Sequence, residues 1–226
     1  MNFERDYKRV FILSDAHIHG YETKKDKSAF EILKDRLQWC DLAIAAGDFL
    51  ERHALPWEKL KESPWGELFP QMRKKLILLF GNHDKKEDYA DIPRFWLSSG
   101  KEFRFTSSRV PFVVTHGDQF DSAAWIDQFM GYKIVRKLMP RIKQVETWLL
   151  GHDAKAGRLG RYYKQWNNEQ KVGFRALKKS NDEWGIAGHT HIPEIDNVER
   201  YINAGEFPYT FIEVSNGAPR PQFNRV

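Results

Sequence analysis

The sequence predicts an α/β fold, and three observations carry that prediction. Short apolar runs recur along the chain, and each ends in a polar cluster. Segments with helical spacing lie between them. The clusters are also evenly placed: 33 residues separate Asp15 from Asp48, 34 separate Asp48 from Asn82, and 34 separate Asn82 from His116. A strand–helix–strand unit takes about 30 residues or somewhat more. In such folds ligands bind beyond the carboxyl ends of the strands.

Taken in order, "RVFIL" leads into "SDAHIHG", "DLAIAA" into "GDF", "KKLILLF" into "GNHD", "RVPFVV" into "THGD" and "WGIA" into "GHTH". Each run is short, apolar and bounded by turn-forming residues, which reads as a buried strand. "RYINA" and "YTFIEV" read as further strands without the polar ending. Between the first two runs, "KSAFEILKDRLQWC" sets Phe30, Leu33 and Leu37 at helical spacing, with Ser28 as the expected N-cap. "WEKLKE" and "WGELFPQMRKK" read as shorter helical pieces broken by Pro64 and Pro70.

From His116 to His189 the interval lengthens to 73 residues. The 226 residues therefore read as a single domain, 1–226, with a helical insertion over residues 119–180. Within the insertion, "AAWIDQFMGYKIVRKLM" and "RIKQVETWLL" are helical in pattern, "GHDAKAGRLGRYY" reads as a glycine-rich loop, and "NNEQKVGFRALKKS" as a final helix. The formal net charge of +5 is concentrated here: residues 124–180 hold 13 Lys and Arg against 4 Asp and Glu. Such a segment expects an anionic partner, or is a pair of solvated surface helices. Its aromatics include Trp125, Phe129, Tyr132 and Trp148. They either pack inward or, with Lys133, Arg136 and Lys137, grip an anionic and partly apolar substrate. Trp125, Phe129 and Trp148 exposed together would predict peripheral contact with a membrane.

The bulk composition narrows the class. Hydrophobic residues at 41% and charged residues at 30% are those of a chain that buries a core. The single cysteine, Cys40, has no partner for an intramolecular disulfide. The first ten residues carry charges and no apolar signal core. No apolar run approaches the roughly 18–20 residues of a membrane span. The expectation is a cytoplasmic protein.

Together the five clusters supply Asp15, His17, Asp48, Asn82, His83, His116, His189 and His191. Imidazole and carboxylate suit divalent Mn, Fe, Zn, Co or Ni. About seven such ligands exceed the need of one tetrahedral zinc. They fit two ions that share a carboxylate, as in metal-assisted phosphoryl hydrolysis with ions ~3.5–4 Å apart. In an extended backbone His189 and His191 point to the same side.

The ordered set "SDAHIHG…GDF…GNHD…THGD…GHTH" resembles the calcineurin-like metallophosphoesterase superfamily, over most of the chain. The resemblance implies a four-layer α-β-β-α sandwich with two metals, manganese foremost, at the strand ends. Carried over by motif, Asp15, His17 and His191 would bind one ion, Asp48 would bridge, and Asn82, His116 and His189 would hold the second. Gly188 would let the backbone approach. The expected reaction is in-line attack on phosphorus by a metal-activated hydroxide. His83 would stabilise the phosphoryl group or protonate the leaving oxygen. Asp84 and Asp118 would orient imidazoles, or simply cap turns.

Within that superfamily the chain is most similar to the UDP-2,3-diacylglucosamine pyrophosphohydrolases. "GDFLE" puts Glu51 at that group's acidic, substrate-facing position, the insertion falls where its lipid-covering cap lies, and "YINAGEF" resembles its closing segment. Two features depart from the group. "GNHD" carries His83 where an arginine is characteristic, and "QFDSAAW" follows "HGD" in place of an Asp-rich run. A nuclease or nucleotide phosphodiesterase on the same fold, and a non-catalytic metal-bound nucleic-acid-binding module, are the alternatives.

Overall fold

The computed structural model describes residues 2–51, 56–83, 86–90, 92–120 and 159–224. Its elements run β1 (Asn2–Asp6), β2 (Arg9–Leu13), α1 (Lys24–Trp39), β3 (Leu42–Ala46), α2 (Trp57–Glu62), α3 (Phe69–Lys75), β4 (Leu76–Leu79), β5 (Ser98–Gly100), β6 (Glu102–Ser107) and β7 (Val110–Thr115). Then follow α4 (Leu159–Leu177), β8 (Trp184–Ala187), β9 (Glu194–Asp196), β10 (Tyr201–Asn203), β11 (Thr210–Ser215) and β12 (Ala218–Phe223). They build two six-stranded sheets, ordered β1-β6-β7-β8-β10-β9 and β12-β11-β2-β3-β4-β5.

Three buried clusters define four layers. Val10, Ile12, Ile44, Ile77, Phe105, Phe112, Val114, Ile186 and Ile212 fill the space between the sheets. The alternate residues of the same strands, Phe11, Leu13, Ala43, Ala45, Leu76 and Leu78, face outward onto Phe30, Leu33 and Leu37 of α1 and Met72 of α3. On the far side Val113, Ala187 and Tyr201 pack against Phe174 of α4. Side chains alternate across a strand, so a strand covered on both faces must be apolar throughout. That is why "RVFIL", "DLAIAA" and "LILL" read as continuous runs.

Two local expectations are corrected and one is met. α1 begins at Lys24, and its cap is Thr23, whose Oγ1 accepts from Asp26 N at 2.9 Å and donates to Asp26 Oδ2 at 2.6 Å. Ser28 lies inside the helix, because Thr23, five residues earlier, already caps the first turn with Asp26. The helical pieces do break at Pro64 and Pro70: each proline lies in the first turn of a new segment, where no intrahelical N–H is needed. Pro64 starts a 3-10 turn capped by Ser63 Oγ. Finally, residues 159–163 of the expected glycine-rich loop belong to α4, with Gly160 carried inside the helix. Residues 121–158, which hold the rest of that loop and the first two expected insertion helices, lie outside the described residues.

Strands β2, β3 and β4 are mutually parallel, as are β7, β8 and β10. Their carboxyl ends therefore open toward one another at one rim of the sandwich. The β2–β3 pairing continues past the strands: His17 N donates to Asp48 O at 2.9 Å and Ile18 N to Phe49 O at 3.1 Å. The two polar loops are thus held side by side. Among the described residues no helix is long and apolar enough to cross a membrane.

Candidate dimetal site

The strand-end loops bring eight expected residues into one cluster. Asp15 and His17 follow β2, Asp48 follows β3, Asn82 and His83 follow β4, His116 follows β7, and His189 and His191 follow β8. Asp15, His17, Asp48, His189 and His191 all have φ between 45° and 70°. Non-glycine residues seldom occupy this left-handed region, and each costs on the order of 1–3 kcal/mol. Strain concentrated on five acid and imidazole side chains means that the loops are shaped by what those side chains meet.

Among the described residues three sets of ligand atoms lie within 4.8 Å of one another: Asp15, His17 and His191; Asp15, Asp48 and His116; and His17, Glu51 and His83. Asp15 belongs to the first two. Its Oδ2 accepts from Ser14 Oγ at 2.6 Å and from His189 N at 2.9 Å. Its Oδ1 is buried without a hydrogen bond, 3.2 Å from His191 Nε2. Asp48 Oδ1 accepts from His83 N at 2.9 Å. The other oxygen, Oδ2, lies 3.3 Å from His116 Nε2 and 3.9 Å from His17 Nε2, between the two groups. Asn82 Oδ1 is 3.0 Å from His116 Nε2, and the His189 and His116 ring centroids are 5.1 Å apart. The far nitrogen of His116, Nδ1, is 2.9 Å from Ala46 O, which leaves Nε2 for a ligand. Buried carboxylates and imidazoles with an unsatisfied oxygen are a donor set that divalent cations fit.

The electrostatics agree with that fit. Burial raises the Asp15 and Asp48 carboxyls, yet His191 for the first and His116 for the second hold both well below the usual range. Burial pushes the His191 imidazole down, but the Asp15 and Glu206 carboxylates outweigh it and raise it to about 10. His116 is likewise driven up, against its burial, chiefly by Asp48. Without cations these imidazoles therefore hold protons that a metal must displace. A histidine raised in this way contributes stability that is full below its unfolded pKa, near 6.5, and lost as pH rises toward 10. Metal uptake at pH 7 is accordingly expected to release protons. Calorimetric heats that do not vary with the ionisation enthalpy of the buffer would show otherwise.

Other expected residues fall differently. Glu51 is buried, and its Oε1 lies 2.6 Å from His17 Nδ1 and 3.7 Å from His83 Nδ1. Its carboxylate faces these two imidazoles, where it can fix their orientation. Asp118 opens a 3-10 turn, and its charge acts on the His116 imidazole. His19 N donates to Asp26 Oδ1 at 3.4 Å. Asp84, His53, His152, Trp125, Phe129, Lys133, Arg136 and Lys137 lie outside the described residues.

Two residues at the site were not singled out by sequence. Ser14 ties Asp15 to Ala46 O. Glu206 sets Oε2 3.5 Å from His191 Nδ1 and Oε1 2.6 Å from Lys25 Nζ. Burial raises the Glu206 carboxyl, but His191 and Lys25 bring it down to about 2. The only signal for Glu206 was its place in "YINAGEF".

At Gly188 the loop after β8 meets the loop after β2. A Cβ there would fall 1.6 Å from Ser14 Oγ and 2.5 Å from Asp15 Oδ2. Gly188→Ala is expected to cost about 1–3 kcal/mol through overpacking and to disturb Asp15. A urea midpoint unchanged from the parent would contradict this close approach.

A two-sheet sandwich with carboxylates and imidazoles gathered at its strand ends defines a metal-dependent phosphoester hydrolase. Residues 8–193 match the family described as Calcineurin-like phosphoesterase, and the chain belongs to that family. No curated protein matches the chain. Among solved structures, it is similar to an archaeal phosphodiesterase, with 16% identity over 96% of this chain and 99% of that one and a TM-score of 0.44. The phosphoesterase Yfce from E. coli shares 14% identity over 92% and 88% of the two chains, with a TM-score of 0.47. A conserved uncharacterized protein, a predicted phosphoesterase, from Streptococcus pneumoniae TIGR4 shares 13% over 97% and 99%, with a TM-score of 0.38.

Proposed function

We propose that this protein hydrolyses a phosphodiester or pyrophosphate bond with two divalent cations, manganese being the first to try. Asp15, His17 and His191 would hold one; Asn82, His116 and His189 would hold the other; Asp48 would lie between them. The observation that carries the reading is the pair of ligand groups that share Asp15, with Asp48 Oδ2 facing an imidazole of each. Cations bound there would acidify a coordinated water toward neutral pH and offset charge on phosphoryl oxygens.

The chain's own residues supply the rest. Glu51 holds the His17 ring through Nδ1, so that Nε2 faces the cluster. The backbone N–H of His83 fixes one oxygen of Asp48, and the His83 ring lies 5.1 Å from that of His17. From there its imidazole would steady a phosphoryl oxygen or give a proton to the leaving group. The basic and aromatic insertion, 119–180, would cover the site, and UDP-2,3-diacylglucosamine is the substrate its charge and aromatics fit.

Incubation with that nucleotide lipid and Mn²⁺ is expected to release UMP, and EDTA is expected to stop it. Cleavage of bis(p-nitrophenyl) phosphate without UMP release would keep the hydrolase and discard the lipid, which makes oligonucleotides the next substrates to assay. Cleavage of neither, with metal bound, would overturn the reading.

A further inference from the structure

A buried amide network lies behind the site and belongs to none of the roles above. Asn167 and Gln170 on α4, Thr190 between the two histidines, and Asn203 at the end of β10 are all at most 2% exposed. Asn203 Nδ2 donates to Gly188 O at 2.7 Å, and Gln170 Nε2 donates to the same carbonyl at 3.2 Å. Thr190 Oγ1 donates to Asn167 Oδ1 at 2.8 Å. Gln170 Oε1 accepts from Tyr201 OH at 2.5 Å, which fixes which way its amide points. Gly205 N closes the network on Asn203 Oδ1 at 2.9 Å.

A second observation makes this more than a satisfied interior. His189 and His191 stand at φ 70° and 58°, and strained backbone persists only where its surroundings over-determine it. The network grips Gly188 and Thr190, the residues that alternate with those two histidines. Gln170 reaches the neighbouring loop as well: a Cβ on Gly117, beside His116, would lie 2.5 Å from its Nε2. One glutamine thus braces the turns that carry three imidazoles.

We propose that Asn167 and Gln170 are positioning residues for the metal site, so that the last helix of the insertion sets the ligand geometry of the His189–Thr190–His191 turn. This rests on the dimetal reading of that turn. It makes the insertion more than a cover, because a shift of α4 would move the histidines. Half-satisfied buried amides are costly, so the turn and the helix move together or not at all.

The test uses Co²⁺ alone as probe, titrated into the metal-free full chain and followed by its d–d absorption, beside thermal unfolding of the metal-free protein. Gln170→Leu and Thr190→Val are expected to weaken Co²⁺ binding about 10–100-fold, as loss of groups that orient metal ligands does, and to change the band shape. Thr190→Ser, which keeps the hydroxyl, is expected to retain the parent affinity and spectrum. Parent-like affinity and spectrum in both disrupting variants would overturn the proposal. Should they fail to fold, Tyr201→Phe removes one hydroxyl from Gln170 and keeps the ring. It is expected to shift the same spectrum, and no shift would count against the proposal. A parent chain that takes up no Co²⁺ overturns the dimetal reading itself, a different result from parent and variants that bind alike.

Discussion

Asp48→Ala is expected to lower kcat for bis(p-nitrophenyl) phosphate by on the order of 10³-fold or more, while the fold is retained. The magnitude follows from what the carboxylate does. Removing a single preorganised group at a developing charge costs about 10²–10³, and Asp48 faces both ligand groups at once. Its Oδ2 lies 3.3 Å from His116 Nε2 and 3.9 Å from His17 Nε2, and its Oδ1 orders the backbone of His83. An alanine there leaves His116 and His17 without the charge between them and frees the His83 loop. Asp48 is buried beside the His116 imidazole, whose proton it holds, so stability is expected to fall as well, and circular dichroism must accompany the assay. Metal content divides the causes. A variant that loses about one cation per chain and its activity fits a shared ligand. One that keeps both cations and most of its turnover would remove Asp48 from the site.

The parts of this site that were legible in the sequence are those where chemistry and chain position coincide. A strand buried on both faces announces itself as an apolar run. Whatever follows it in the next two to four residues lies at the rim, so Asp15, His17, Asp48, Asn82, His116, His189 and His191 could be read together. The brace behind them could not. Asn167 and Gln170 are polar residues on a helix, indistinguishable by type from a solvated face, and only the partner strand β10 turns them inward. Ser28 is of a type that caps helices and precedes the apolar spacing, but the reciprocal Thr23–Asp26 pairing sets the start of α1. The strands that escaped notice sit mostly at edges. β5 is "SSG" and β9 is "EID", with no apolar run, and β12, "APRPQF", holds two prolines that only an edge tolerates. β6 is different: Phe103 and Phe105 alternate cleanly with polar neighbours, so its signal was present in "EFRFTS".

Membership of a strand in one sheet or the other was not legible either, because both sheets use the same alternation, and this is where the second large effect lies. Phe112→Ala is expected to cost about 3–5 kcal/mol in urea unfolding. Phe112 is fully buried between the sheets, and its ring stacks on Phe105 at 4.8 Å and 5°. The two residues are direct partners across β6 and β7. Phe105 also contacts Phe103 and Tyr7, so the truncation opens a void among aromatic rings that cannot collapse without moving strand backbones. For a domain stable by about 5–15 kcal/mol, that is a large share. The same strand ends at Thr115 and delivers His116, so loosened packing should reach the site as weaker metal binding before it reaches global unfolding. Phe112→Leu, which keeps most of the volume, is expected to cost less than half as much and to leave metal binding near parental. If Phe112→Ala unfolds within 1 kcal/mol of the parent, the space between the sheets closes freely. The rigid sandwich would then not be what holds the five loops in register.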